Sequence, residues 1–146
     1  MINFRTNTKW PLLTKAEVEI ELSNDETFIL TSTYGRMIEF KLTYNNIRID
    51  FNVSSKRFLK TTYSAFKDNK NFLTINSGIF DTVEINNKIY KMKGIFSSHI
   101  KELRFYCKPK PFLIGHDYVG SFSEEFKLAG LTIASYILLE RWLKKG

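Results

Sequence analysis

From Leu128 to Leu139 the only polar side chains are Thr132, Ser135 and the hydroxyl of Tyr136; the rest are leucine, isoleucine, alanine and one glycine. A surface helix carries one apolar stripe, whereas a helix that is apolar all round has to be buried all round. Ser121 and Glu124 stand in the S-x-x-E spacing of a capping box, and Lys144 and Lys145 suit the negative end of a helix dipole. The pattern predicts a helix over about 123–144. A bilayer span would need ~20 mainly apolar residues, and Lys127, Glu140 and Arg141 hold the uninterrupted run to 12 residues, Leu128 to Leu139. The burial site is therefore expected to be a protein interior, built by the remaining chain.

That remainder reads as strands. Ala16, Val18, Ile20 and Leu22 alternate with Glu17, Glu19 and Glu21, the period-two signature of a half-buried strand. Ser23-Asn24-Asp25 supplies a turn before the β-branched run Thr27 to Tyr34. Ile38, Phe40, Leu42 and Tyr44 alternate in turn, and Asn45-Asn46 leads to Ile47, Ile49, Phe51 and Val53. Further strands are expected over 57–66, 72–75, 79–85 and 88–94, with polar turns at Lys67–Lys70 and Asn86-Asn87. Leu103, Phe105 and Cys107 share one face opposite Arg104, Tyr106 and Lys108, and Pro109 and Pro111 end that run because proline cannot donate to a ladder. A last strand is placed over 112–119. With so many short strands and one helix, the element able to surround the helix is a sheet closed on itself. The expected fold is mainly β: a closed antiparallel β-barrel of about ten to twelve strands (about 12–119), threaded by the helix, in a single domain over 1–146.

Charge is uneven. The chain carries 22 Lys and Arg against 15 Asp and Glu, a net +7. Residues 1–50 hold 6 basic and 7 acidic side chains, the remainder 16 and 8. The densest stretch contains Lys88, Lys91, Lys93, Lys101, Arg104, Lys108 and Lys110, opposed by Glu102. Such a face attracts phosphate groups on lipid or nucleic acid. The plainer alternative is a solvated sheet surface whose lysines discourage edge-to-edge aggregation.

Motifs for chemistry are missing. His99 and His116 are the only histidines, and neither stands in metal-ligand spacing. His116-Asp117 invites a base-and-orienter reading, but neighbours in a strand point to opposite faces, and no nucleophile motif accompanies them. The lone Cys107 excludes a disulfide framework within the chain and falls on an apolar face, where a buried inert thiol is expected. The reading is no enzyme, no metal and no cofactor. Without the apolar core of a secretory signal after Met1, a cytoplasmic location is expected.

Many short strands followed by the helix Phe126-Lys-Leu-Ala-Gly-Leu-Thr-Ile-Ala-Ser-Tyr-Ile-Leu-Leu-Glu140 resemble the tubby C-terminal-like superfamily, which includes bacterial tubby-like proteins, LURP-one-related proteins and phospholipid scramblases. The resemblance covers the whole chain and rests on architecture, with no diagnostic motif. It implies strands closed around the C-terminal helix and phosphoinositide binding through basic side chains on the barrel surface. The chain departs from the scramblase pattern, having no acidic calcium cluster and no cysteine-rich acylation segment. The expected function is a binding module recruited to an anionic phospholipid surface, peripheral at the inner face of the membrane, with a protein or nucleic-acid partner as the alternative.

Overall fold

The structure, a computed structural model, describes residues 1–12, 15–33, 40–44, 47–57, 60–77, 81–94, 97–109 and 117–145. Twelve strands lie among them: β1 Ile2–Leu12, β2 Lys15–Leu22, β3 Thr27–Thr33, β4 Phe40–Tyr44, β5 Ile47–Arg57, β6 Lys60–Lys67, β7 Lys70–Ser77, β8 Thr82–Ile85, β9 Lys88–Lys91, β10 Ser98–Ile100, β11 Phe105–Pro109 and β12 Tyr118–Phe122. The helix α1 runs Lys127–Lys145, and the fold is mainly β. Every ladder is antiparallel, in the order β10-β11-β12-β1-β2-β3-β4-β5-β6-β7-β8-β9.

Local chemistry explains the hairpins. Asp68-Asn69 and Asn86-Asn87 carry positive φ at both central positions, the primed turn whose twist matches that of the flanking strands. Each closes a two-residue connection, Lys67 opposite Lys70 and Ile85 opposite Lys88. Asp25, also at positive φ, turns β2 into β3. The alternation read in β2 holds where its side chains are described, with Ile20 and Leu22 buried.

β1 lies, but for Leu12, before the strand region of 12–119 expected from sequence, and β10 had no strand pattern of its own. In β1 the inward positions are Ile2, Phe4 and Thr6, and the threonine interrupts the apolar alternation. It is buried because its hydroxyl accepts from the backbone N–H of Tyr118 at 2.8 Å and donates to Asp117 at 3.3 Å. β12, Tyr118–Phe122, includes the last two residues of the strand expected over 112–119 and runs three residues beyond it; Asp117 is not in a strand, and residues 110–116 lie outside the described residues.

The helix is an interior element, as its composition requires. Gly130, Leu131, Thr132, Ile133, Ala134, Ser135 and Tyr136 are buried in succession, which covers every side of two turns, and Leu138 follows. Its two buried hydroxyls are satisfied within the helix, Thr132 donating to the Leu128 carbonyl at 2.7 Å and Ser135 to that of Leu131 at 2.8 Å. A Cβ on Gly130 would lie 2.5 Å from Cγ of Phe122, so only glycine admits β12 this close. Tyr136 meets the Tyr63 ring of β6 edge-on at 4.7 Å, and its hydroxyl donates to Asp81 at 2.9 Å. At the other end the Lys127 ammonium bonds both carboxylate oxygens of Glu26, at 2.7 and 2.8 Å, and lies 5.8 Å from the Phe28 ring centre. One helix thus touches strands widely separated in the sheet order, so the sheet curls around it.

Two expectations are corrected. The closed barrel is not formed: the strand order ends at β10 and β9, which share no ladder among the described residues and meet at the single bridge Lys93–His99. Beyond His99 the chain turns into a 3-10 helix, Lys101–Leu103, whose Lys101 carbonyl accepts from the N–H of Arg104, held at φ 51°, and the strand pairing stops there. The capping box is also absent. Ser121 is a strand residue paired with Asn3 and Tyr106, Ser123 makes no side-chain cap, and a 3-10 turn, Glu124–Phe126, precedes α1.

Candidate functional site

The basic stretch gathers at the seam where the two ends of the sheet approach each other. On β9 and just beyond it, Tyr90 and Met92 pack against the core, so the alternating Ile89, Lys91 and Lys93 face outward. On β10 and β11, Ile100, Phe105 and Cys107 are buried, leaving His99, Tyr106 and Lys108 exposed. Register places these side by side: Lys93 opposite His99, His99 opposite Tyr106, and Tyr106 opposite Ser121. In an antiparallel arrangement, Lys91, two residues before Lys93, falls on the same side of the bridge as Lys101, two after His99. Lys101 and Arg104 are exposed in and after the 3-10 turn. At strand spacings of ~4.8 Å, Lys93 and Lys108 lie within roughly 12 Å of each other.

Five of the seven predicted residues, Lys91, Lys93, Lys101, Arg104 and Lys108, therefore belong to one strip. Lys88 does not: it shares the parity of Tyr90, and its ammonium lies 5.3 Å from that ring's centre. Lys110 lies outside the described residues. Among the described residues none of the five cations has a carboxylate within ion-pair distance, although exposed Glu102 sits between Lys101 and Arg104. Two strands further, Arg5 is already neutralised by Glu21, which marks the strip's border.

Exposed apolar atoms interrupt the charge. Ile89 is 65% exposed and Tyr106 39%. Of the aromatics in this stretch, Phe105 and Tyr90 pack against the core, while Tyr106 points out because it alternates with Phe105 and Cys107. Strand parity was the available signal. The place of His99 was not legible, because β10 has three residues.

The other candidates resolve simply. Cys107 is buried, and burial in apolar surroundings pushes its thiol up to about 12 from 9.0, leaving it neutral and unreactive near pH 7. Asp117 accepts from Thr6, and His116 lies outside the described residues. Among the described residues no three His, Cys, Asp or Glu side chains cluster to hold a metal, and no helix is long and apolar enough to cross a membrane. A shallow concavity of about 390 Å³ lies over Asn3, Arg5, Glu21, Ser23 and Glu26. Arg5 and Glu21 are committed to each other there, and Glu26 to Lys127. No family model, no curated protein and no solved structure matches the chain.

Proposed function

We propose that the protein is a non-enzymatic binding module drawn to anionic phospholipid surfaces, phosphoinositide-bearing ones included, through the strip Lys91, Lys93, Lys101, Arg104 and Lys108. The observation that carries this reading is five exposed cations, without carboxylate partners among the described residues, gathered along the seam between the two ends of the sheet. Near an anionic leaflet each contributes roughly 1 kcal/mol, so three or four acting together give weak, reversible recruitment. The exposed Tyr106 beside Lys108 suits the wet interface, where an aromatic body meets acyl chains and its hydroxyl meets headgroups. The resemblance of the strand-then-helix order to tubby-like domains supports the same reading. On it the protein is cytoplasmic and peripheral at the inner face of the membrane.

Sedimentation with neutral, phosphatidylserine-containing and phosphoinositide-containing vesicles, at low and moderate salt, tests it. Binding is expected to anionic vesicles alone, to weaken with salt, and to disappear in the double variant Lys91→Glu with Lys93→Glu. Preference for single-stranded or duplex DNA added as competitor would shift the strip to nucleic acid. Indifference to every vesicle and to DNA would leave a protein partner.

A further inference from the structure

The backbone along the same seam is unpaired in a way that the charge reading does not use. The N–H of Met92 donates to the Asp81 carbonyl at 3.0 Å, which fixes the parity of the β8–β9 ladder. Alternate residues of an antiparallel strand turn their backbone groups to opposite sides. Lys88, Tyr90 and Met92 therefore face β8, and Ile89, Lys91 and Lys93 face away from it. Lys93 confirms the assignment, since it exchanges both of its hydrogen bonds with His99, at 3.0 and 2.9 Å. Ile89 and Lys91 present an N–H and a C=O each to the same side, with no partner among the described residues. On the opposing chain, the carbonyl of Lys101, which would come next after His99, is taken by Arg104. Pairing of the two sheet ends therefore stops at the bridge, and among the described residues the edge of β9 has no ladder partner.

We propose that this edge takes an extended acidic peptide as an added strand, hydrogen-bonded to Ile89 and Lys91 and with its carboxylates among Lys91, Lys93, Lys101 and Arg104. Main-chain pairing supplies the attachment, as in other strand-addition complexes, and the side chains select the partner. Charge decides between occupants. A second copy of the chain pairing edge to edge would bring the outward Lys91 and Lys93 of both strands onto one face, and like charges across a strand pair destabilise it. An acidic strand converts the same lysines into attraction. Glu84, opposite Ile89 on β8, and Glu102 limit how many carboxylates the surface tolerates, and so favour a peptide with acidic residues at alternate positions.

The inference draws on four of the cations of the lipid reading and adds a backbone edge that lipid binding does not use, and one substitution at that edge separates the two. Ile89→Pro removes an outward N–H that serves no ladder bond, keeps every charge, and sits at an edge position that tolerates proline. The probe is a short blocked peptide alternating glutamate and valine, with a glutamate–proline peptide that lacks donors as the control. Amide exchange and chemical shifts of β9 provide the readout in the full chain. Addition of the glutamate–valine peptide is expected to slow exchange at the Ile89 and Lys91 amides by about tenfold, while the control peptide does not. Ile89→Pro should abolish the binding with an unchanged melting temperature and unchanged vesicle sedimentation. Equal binding of both peptides, binding that survives Ile89→Pro, self-association through β9 in place of peptide binding, or no protection of these two amides at saturating peptide would each overturn the proposal. Should Ile89→Pro fold poorly, Ile89→Thr with the wild-type backbone keeps the test open: it should bind the peptide still.

Discussion

The helix interior and the β9–β10 seam are built from opposite materials and have opposite tolerances. Around α1 every residue from Gly130 to Tyr136 is buried and every buried hydroxyl has a partner. At the seam the outward side chains are exposed, and among the described residues the cations lack carboxylate partners and one strand edge has no ladder partner. A close-packed interior punishes any change of volume or charge. A solvated edge is nearly indifferent to both. Stability is therefore concentrated in the first region and the proposed recognition lies in the second, and substitutions in either should leave the other's property intact.

The sharpest way to break this contrast is to charge the interior. Ala134→Arg places an unpaired cation in a buried position between turns of α1, and a loss of more than about 4 kcal/mol is expected, seen as the absence of cooperative unfolding in urea. A mildly destabilised, still cooperative protein would show that the helix is not enclosed. Alkali probes the same interior through Cys107. Its folded-state value, raised by burial to about 12 against 9.0, favours the neutral thiol, so its contribution is intact below about 9 and is lost as pH rises toward about 12. Within that window the wild type should lose on the order of 1 kcal/mol per pH unit more than Cys107→Ala, measured by denaturant midpoints. Equal slopes would mean that the thiol meets water.

Smaller effects sharpen the boundary. Tyr136→Phe removes the 2.9 Å bond to Asp81 but keeps the ring against Tyr63, and should cost about 1 kcal/mol in thermal or urea unfolding. At the seam, Lys91→Glu with Lys93→Glu should change stability by less than about 0.5 kcal/mol, since neither ammonium is ion-paired among the described residues, while abolishing any salt-sensitive anion binding. A cost like that of Tyr136→Phe would place these lysines in the structural account.

Helix burial was legible because composition alone decides it: a run with three polar side chains in twelve positions has no wet face. The hairpins around Asp25, Asp68-Asn69 and Asn86-Asn87 were legible because positive φ selects asparagine and aspartate. Closure was not, because it depends on where the chain after His99 stops pairing, and the 3-10 turn at Lys101–Leu103 has no apolar period to announce it. β1 was hidden by Thr6, a polar residue buried through tertiary hydrogen bonds to residues over a hundred positions away. The basic strip was half legible. Parity sets Lys91 and Lys93 apart from Lys88 and puts Lys108 outward, but among the described residues the Lys93–His99 bridge alone joins the two ends of the sheet that carry them.

Residue-resolved amide hydrogen exchange of the intact protein tests the division most directly, because it reads interior and seam in one experiment. The amides of Ile133 to Leu138 should be among the slowest, exchanging only with global unfolding. On β9 the pattern should alternate: Tyr90 protected through β8, Ile89 and Lys91 exchanging at rates close to those of a free peptide. Helix amides as fast as those of Ile89 and Lys91, or Ile89 and Lys91 as protected as Tyr90, would contradict a buried helix core flanked by an open basic edge.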